Sequence, residues 1–128
     1  MDEPQFPVFV RTKDCGEIVS HRSIVDMRRY FEPIDVENGE YEAWDSKATP
    51  VQLSVRESTE WLQLQPSPQL KPEQLTSAIL EFARLNDIEI DLPELQRGDF
   101  SGALERVRTA ILAKGRARSW WRRLRRPL

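Results

Sequence analysis

Two stretches of this sequence carry enough charge in a short span to do chemistry. Asp35, Glu37, Glu40, Glu42 and Asp45 gather five carboxylates within residues 35–45. Carboxylates at this density serve three kinds of chemistry. They hold a divalent cation, share protons in acid–base work, or attract a basic partner. A calcium loop needs ligands at a fixed spacing around a central glycine. Gly39 is present, but the Asp-x-Asn-x-Asp-Gly series is not. Paired catalytic carboxylates leave no fixed signature, so a small hydrolase or nuclease using the carboxylates of Glu40–Asp45 stands as a third reading of the chain. The reading adopted for the run is a solvated acidic edge that docks a basic partner.

The second stretch is basic. Arg106, Arg108, Lys114, Arg116, Arg118, Arg122, Arg123, Arg125 and Arg126 stand in residues 106–128 with no acid among them, whereas residues 1–105 hold all 21 acidic residues and 10 of the 19 basic ones. The net charge of −2 therefore conceals two regions of opposite sign. Around Trp120 and Trp121 lie Arg122, Arg123, Leu124, Arg125 and Arg126. At helical spacing Trp121, Leu124 and Leu128 share a face flanked by arginine. Such a helix inserts Trp and Arg anchors into an acidic groove of a protein, lies on an anionic membrane, or binds nucleic acid through phosphates and base stacking. The acidic body repels nucleic acid over a Debye length of about 8 Å, so the partners rank protein first, membrane second and nucleic acid third. Folding of the segment onto the acidic body is the alternative arrangement.

Trp44 and Trp61 occupy the polar phase of their strands, alternating with Glu40 and Glu42 and with Gln63 and Gln65. Both rings are expected on the face opposite a short helix, beneath C-terminal helices. Otherwise they form an exposed aromatic patch. His21 is the only histidine and Cys15 the only cysteine, so neither a two-histidine metal site nor an intrachain disulfide is available. A Cys15–His21 nucleophile pair lacks any mark of an oxyanion hole. No Walker loop, dinucleotide fingerprint, zinc signature or nucleophile elbow occurs. No cofactor and no metal is expected, and the chain is read as non-enzymatic.

The elements that carry these groups follow from the hydrophobic pattern. Phe6 to Arg22 reads as a hairpin turning at Asp14-Cys15-Gly16. Ser23 caps a short helix, with Asp26 in the capping-box position and Ile24, Met27 and Phe31 on one face. Pro33 should end it. Asn38-Gly39 marks a turn, and strands are expected at Glu40 to Asp45, Val51 to Arg56 and Trp61 to Gln65. Pro66, Pro68 and Pro72 make residues 66–71 a linker, with Pro72 at the first position of a helix that ends near Asn86. Ile88, Ile90 and Leu92 alternate like a strand stopped by Pro93. Asp99 or Ser101 caps a last helix whose stripe is Phe100, Leu104, Val107 and Ile111. Gly115 either ends that helix or weakens it by about 1 kcal/mol.

The fold class that results is α+β: an antiparallel sheet of about five short strands in the order β-β-α-β-β-β, followed by C-terminal helices packed on the sheet. One acidic domain over 1–114 (sheet region 5–65, helical region 72–114) and a basic segment over 115–128 are expected. No run of about 18 apolar residues exists, and Met1-Asp2-Glu3-Pro4 lacks the apolar core of a signal. The expected location is the cytoplasm, with peripheral membrane contact through the basic helix as an addition. The expected function is a small protein-binding module, an adaptor, inhibitor or immunity-type protein.

Overall fold

A computed structural model describes residues 3–125, and side chains as far as Gly115. The strands are β1 (Val8–Thr12), β2 (Ile18–His21), β3 (Tyr41–Trp44), β4 (Pro50–Val55) and β5 (Leu62–Pro66). The helices are α1 (Ile24–Tyr30), α2 (Pro33–Glu37), α3 (Pro72–Asn86), α4 (Leu92–Gln96) and α5 (Ser101–Arg125). All five strands join one sheet in the order β2-β1-β3-β4-β5, and every neighbouring pair is antiparallel. The α+β class expected from the pattern is the architecture found.

The chain leaves β2, crosses β1 through α1 and α2, and returns as β3 on the far side of β1. Ser23 caps α1 by accepting the Asp26 N–H at 3.1 Å. The extended Phe31 then releases the chain, and Pro33 does more than stop α1. It opens α2 at the first helical position, where its missing N–H costs nothing. The sequence pattern omitted this second helix.

β1 and β3 carry buried apolar residues on both faces, and helices cover each of those faces. Val8, Val10, Ala43, Val51 and Leu62 pack against Met27, Phe31 and Val36 of the α1–α2 layer. Phe9, Ile18 and Trp44 pack against Leu75, Ile79 and Phe82 of α3, Leu95 of α4, and Leu104 and Val107 of α5. Trp44 lies beneath the C-terminal helices with 1% of its surface exposed, as expected. Trp61 departs from expectation. It is half-buried and packs with the α1–α2 cluster, on the other side of the sheet from Trp44. It precedes β5, so the alternation of that strand does not fix its direction.

Pro72 stands at the start of α3, and the Gln74 side chain accepts the Lys71 N–H at 2.7 Å. Asp87 takes the left-handed conformation that terminates α3. The alternating Ile88, Ile90 and Leu92 form no strand. Asp91 caps α4 by accepting the Glu94 N–H at 3.1 Å, and Ile88 and Ile90 lean on the α3–α5 core. Pro93 is tolerated in the first turn of α4 because an N–H at that position would have no helical partner. Gly115 does not end α5, so the boundary expected at 114/115 falls inside one continuous helix of 25 residues, about 37 Å long.

Candidate functional site

The five carboxylates of residues 35–45 do not form one edge. Asp45 is 4% exposed. Its side chain accepts the backbone N–H groups of Lys47 and Thr49, each at 2.9 Å, and that of Gln5 at 3.1 Å. It therefore ties the β3–β4 turn to the N-terminal segment and has no free face for a partner. Glu42 also points inward, onto the α3 side of the sheet. It pairs with Arg11 at 2.8 Å and accepts from the Gln74 amide at 3.3 Å. Arg11 reaches on to Glu81 of α3 at 3.3 Å. Gly16 fits beside this cluster because it has a positive φ of 74° and no Cβ to collide with the Glu81 carboxylate.

Asp35, Glu37 and Glu40 remain at the surface corner between α2 and β3. Gly39, at φ 68°, turns the chain so that the Glu40 N–H reaches the Asp35 carbonyl at 3.3 Å. The Lys13 N–H reaches the Glu40 carbonyl at 3.0 Å and draws the β1–β2 turn, with Asp14, to the same corner. Desolvation, then the charge and hydrogen bond of Asp35 and the charge of Asp14, push the Glu40 carboxyl above its ordinary value. Burial and the carboxylates of Asp35, Glu40 and Glu32, with Tyr30, push the Tyr41 hydroxyl up as well. Among the described residues, Asp14, Glu32, Asp35, Glu37 and Glu40 take part in no ion pair. The corner is thus a set of like charges that repel one another and form no ion pair among the described residues.

A cleft of about 510 Å³ opens beside this corner. Its walls include Glu37, Gly39, Tyr41 and Glu42 on one side and Gln52 to Val55 of β4 on the other. Leu70 and Gln74 close it from the α3 side. A cleft of this size lies within the range of roughly 300–1,000 Å³ typical of ligand sites. Sequence reading missed it, because the alternation of two consecutive strands does not show where their pairing stops.

Cys15 is exposed in the β1–β2 turn, while His21 is buried at the opposite end of that hairpin. They make no nucleophile pair. The His21 ring lies against Tyr30 and Phe31, with centroids 4.9 and 5.0 Å away. Its Nδ1 meets Asp26 at 3.0 Å, and its buried Nε2 has no partner among the described residues. Burial lowers its pKa, against the opposing hydrogen bond and charge of Asp26.

The basic segment continues α5. Trp120, Trp121, Arg122, Arg123, Leu124 and Arg125 stand on its C-terminal turns, and Arg126 lies outside the described residues. Among the described side chains of α5, Ala103, Leu104, Val107, Ala110 and Ile111 pack on the body, and Lys114 reaches Glu17 of the β1–β2 hairpin at 3.4 Å. Among the described residues, no group of three or more His, Cys, Asp and Glu gathers as a metal site. No helix among them is long and apolar enough to cross a membrane. No protein-family model, no curated protein and no solved structure matches this chain.

Proposed function

We propose that this chain is a non-enzymatic protein-binding module, of the adaptor, inhibitor or immunity type, whose acidic α2–β3 corner receives a basic surface of a protein partner. The observation that carries this reading is the gathering of Asp35, Glu37, Glu40 and Asp14 at one corner with no ion pair among the described residues; desolvation first, then Asp35 and Asp14, raise the Glu40 pKa. A partner's lysine or arginine placed there relieves that repulsion and adds its own attraction. Glu37, exposed at the end of α2, extends the same surface. Of the Glu40–Asp45 carboxylates that a hydrolase would recruit, Asp45 is held by three backbone N–H groups and Glu42 by Arg11, which leaves Glu40 alone.

The test is capture from native lysate at low salt, with the full chain as bait. A partner should bind in stoichiometric amount and leave near 1 M salt, where the screening length falls to about 3 Å. A triple variant, Asp35→Asn with Glu37→Gln and Glu40→Gln, should keep its fold and lose that partner. Retention of the partner by the triple variant would refute the reading.

A second reading, peripheral membrane contact, draws support from the continuity of α5 through Gly115 to Arg125. One helix then carries both tryptophans and the flanking arginines, as an interfacial helix requires. Co-sedimentation with anionic liposomes tests it. Equal binding by the wild type and by Trp120→Ala/Trp121→Ala would remove it.

A further inference from the structure

The cleft beside the acidic corner is a local failure of strand pairing inside an otherwise continuous sheet. The β3–β4 ladder holds only Trp44↔Pro50 and Ala43↔Val51 and then stops. Neither strand frays there. On its other edge β3 stays paired with β1 as far as Thr12↔Tyr41, and β4 stays paired with β5 as far as Val55↔Leu62. Two intact strands therefore diverge and leave backbone between them.

The alternation of an antiparallel ladder shows which groups face the gap. The Asp45 N–H bonds to the Thr49 carbonyl across the β3–β4 turn. Odd-numbered residues of β3 thus direct their backbone groups toward β4, and Tyr41–Leu53 would be the next bonded pair. The Lys13 to Glu40 and Arg56 to Trp61 bonds show the even-numbered residues turned the other way, toward β1 and β5. Leu53 and Val55 of β4 therefore present two N–H and two C=O groups to the cleft, and Tyr41 of β3 presents one of each. Among the described residues the β3–β4 ladder pairs neither Tyr41 nor Leu53 nor Val55.

We propose that this gap is a strand-completion site, in which an extended segment of a protein partner pairs with Leu53 and Val55 of β4 and brings a basic side chain to Glu37 at its rim. The β4 edge is the pairing edge because it offers four backbone groups where β3 offers two. Backbone pairing of this kind supplies affinity, and alternating side-chain pockets supply selectivity. The cleft suits an alternating segment. Val36, Leu53 and Val55 make its α2 side apolar, while Glu42, Gln52 and Gln74 make its α3 side polar. Its charged walls are Glu37 and Glu42 against Lys13 alone, with Glu40 between the lining residues Gly39 and Tyr41. The inference rests on the reading of the acidic corner as a docking surface for a basic protein, and specifies the backbone form of the docked segment.

The experiment uses the full ¹⁵N-labelled chain and two capped hexapeptides of alternating valine and arginine. One has an ordinary backbone. The other carries the same side chains on an N-methylated backbone that lacks donors. At a free peptide concentration ten times its Kd, the ordinary peptide should slow amide exchange at Leu53 and Val55 by about tenfold. The N-methylated peptide should bind at least about tenfold more weakly, in keeping with the loss of two or more backbone hydrogen bonds. Gln52→Arg, at an exposed position whose longer cationic side chain enters the cleft, should weaken the ordinary peptide while leaving the melting temperature unchanged. Unchanged exchange at Leu53 and Val55 with shifts confined to Asp35, Glu37 and Glu40 would overturn strand completion and leave the docking surface standing. Equal affinity of the two peptides, or no binding by either while the triple-carboxylate variant still loses its lysate partner, would overturn it too. Loss of both the peptide effect and the carboxylate-dependent partner would remove the two readings together.

Discussion

Asp45 and Glu40 belong to one acidic run, yet the fold gives them opposite surroundings. Asp45 is enclosed by the β3–β4 turn, and three backbone N–H groups converge on its two oxygens. Glu40 opens the approach to β3 beside Asp35, with Asp14 brought over by the neighbouring hairpin. One carboxylate satisfies buried donors, and the other sits in a field of its own sign. A carboxylate's role is set by which donors the backbone aims at it, and residue type alone does not reveal that. Glu42 stands between the two extremes, 14% exposed and held by Arg11 and Gln74.

The contrast is sharpest at Asp45. Asp45→Ala leaves the N–H groups of Gln5, Lys47 and Thr49 without their acceptor. The expected loss is about 3 kcal/mol of unfolding free energy, read from urea denaturation. A loss under about 1 kcal/mol would mean that water replaces the carboxylate and that the two regions differ less than their geometry implies. Glu42→Gln comes next, at about 1–2 kcal/mol, since Arg11 then keeps only Glu81 as a carboxylate partner. A double-mutant cycle with Glu81→Gln should show non-additivity, because both carboxylates hold the same guanidinium.

The pH dependence extends the comparison to His21. Its pKa in the folded state is lowered by burial, so the folded state favours the neutral ring. The stability it contributes is fully present above pH 6.5 and declines as pH falls through that value toward the lowered folded pKa. The urea midpoint should fall over this window in the wild type and stay flatter in His21→Asn. Glu40 has the opposite sign. Its raised pKa favours the protonated folded state, so its contribution is present below the ordinary glutamate value of 4.5 and is lost as pH rises through the raised one. Glu40→Gln should therefore leave stability at pH 7 unchanged or slightly higher, the smallest effect of the set. A clear destabilisation at pH 7 would show that Glu40 serves the fold as Asp45 does.

Much of the local structure was legible because its causes are local. Ser23 caps α1, Gly16 and Gly39 turn the chain with positive φ, Pro72 opens α3, and the stripe Leu104, Val107 packs α5 on the body. The errors share a physical origin. Pro33 and Pro93 were read as terminators, yet a proline in the first turn of a new helix obeys the same steric rule. Ile88, Ile90 and Leu92 alternate, but they join no strand: Ile88 and Ile90 lean on the core beneath the C-terminal helices, and Leu92 opens α4. Trp61 followed the phase of β5 only on paper, since it lies just outside the paired residues.

The sequence by itself determined the α+β class, the antiparallel pairing of short strands, the separation of acidic from basic residues, and the crowding of carboxylates in residues 35–45. Each is a property of neighbours along the chain: alternation, turn chemistry, caps and charge spacing. Only the tertiary structure decided that Asp45 is buried, that Glu42 answers Arg11, that Asp14 joins the Glu40 corner, and that β3 parts from β4 beyond Ala43 and Val51. Those outcomes depend on which distant backbone donors and strand edges meet in space, and the spacing of residues along the chain carries no record of that meeting.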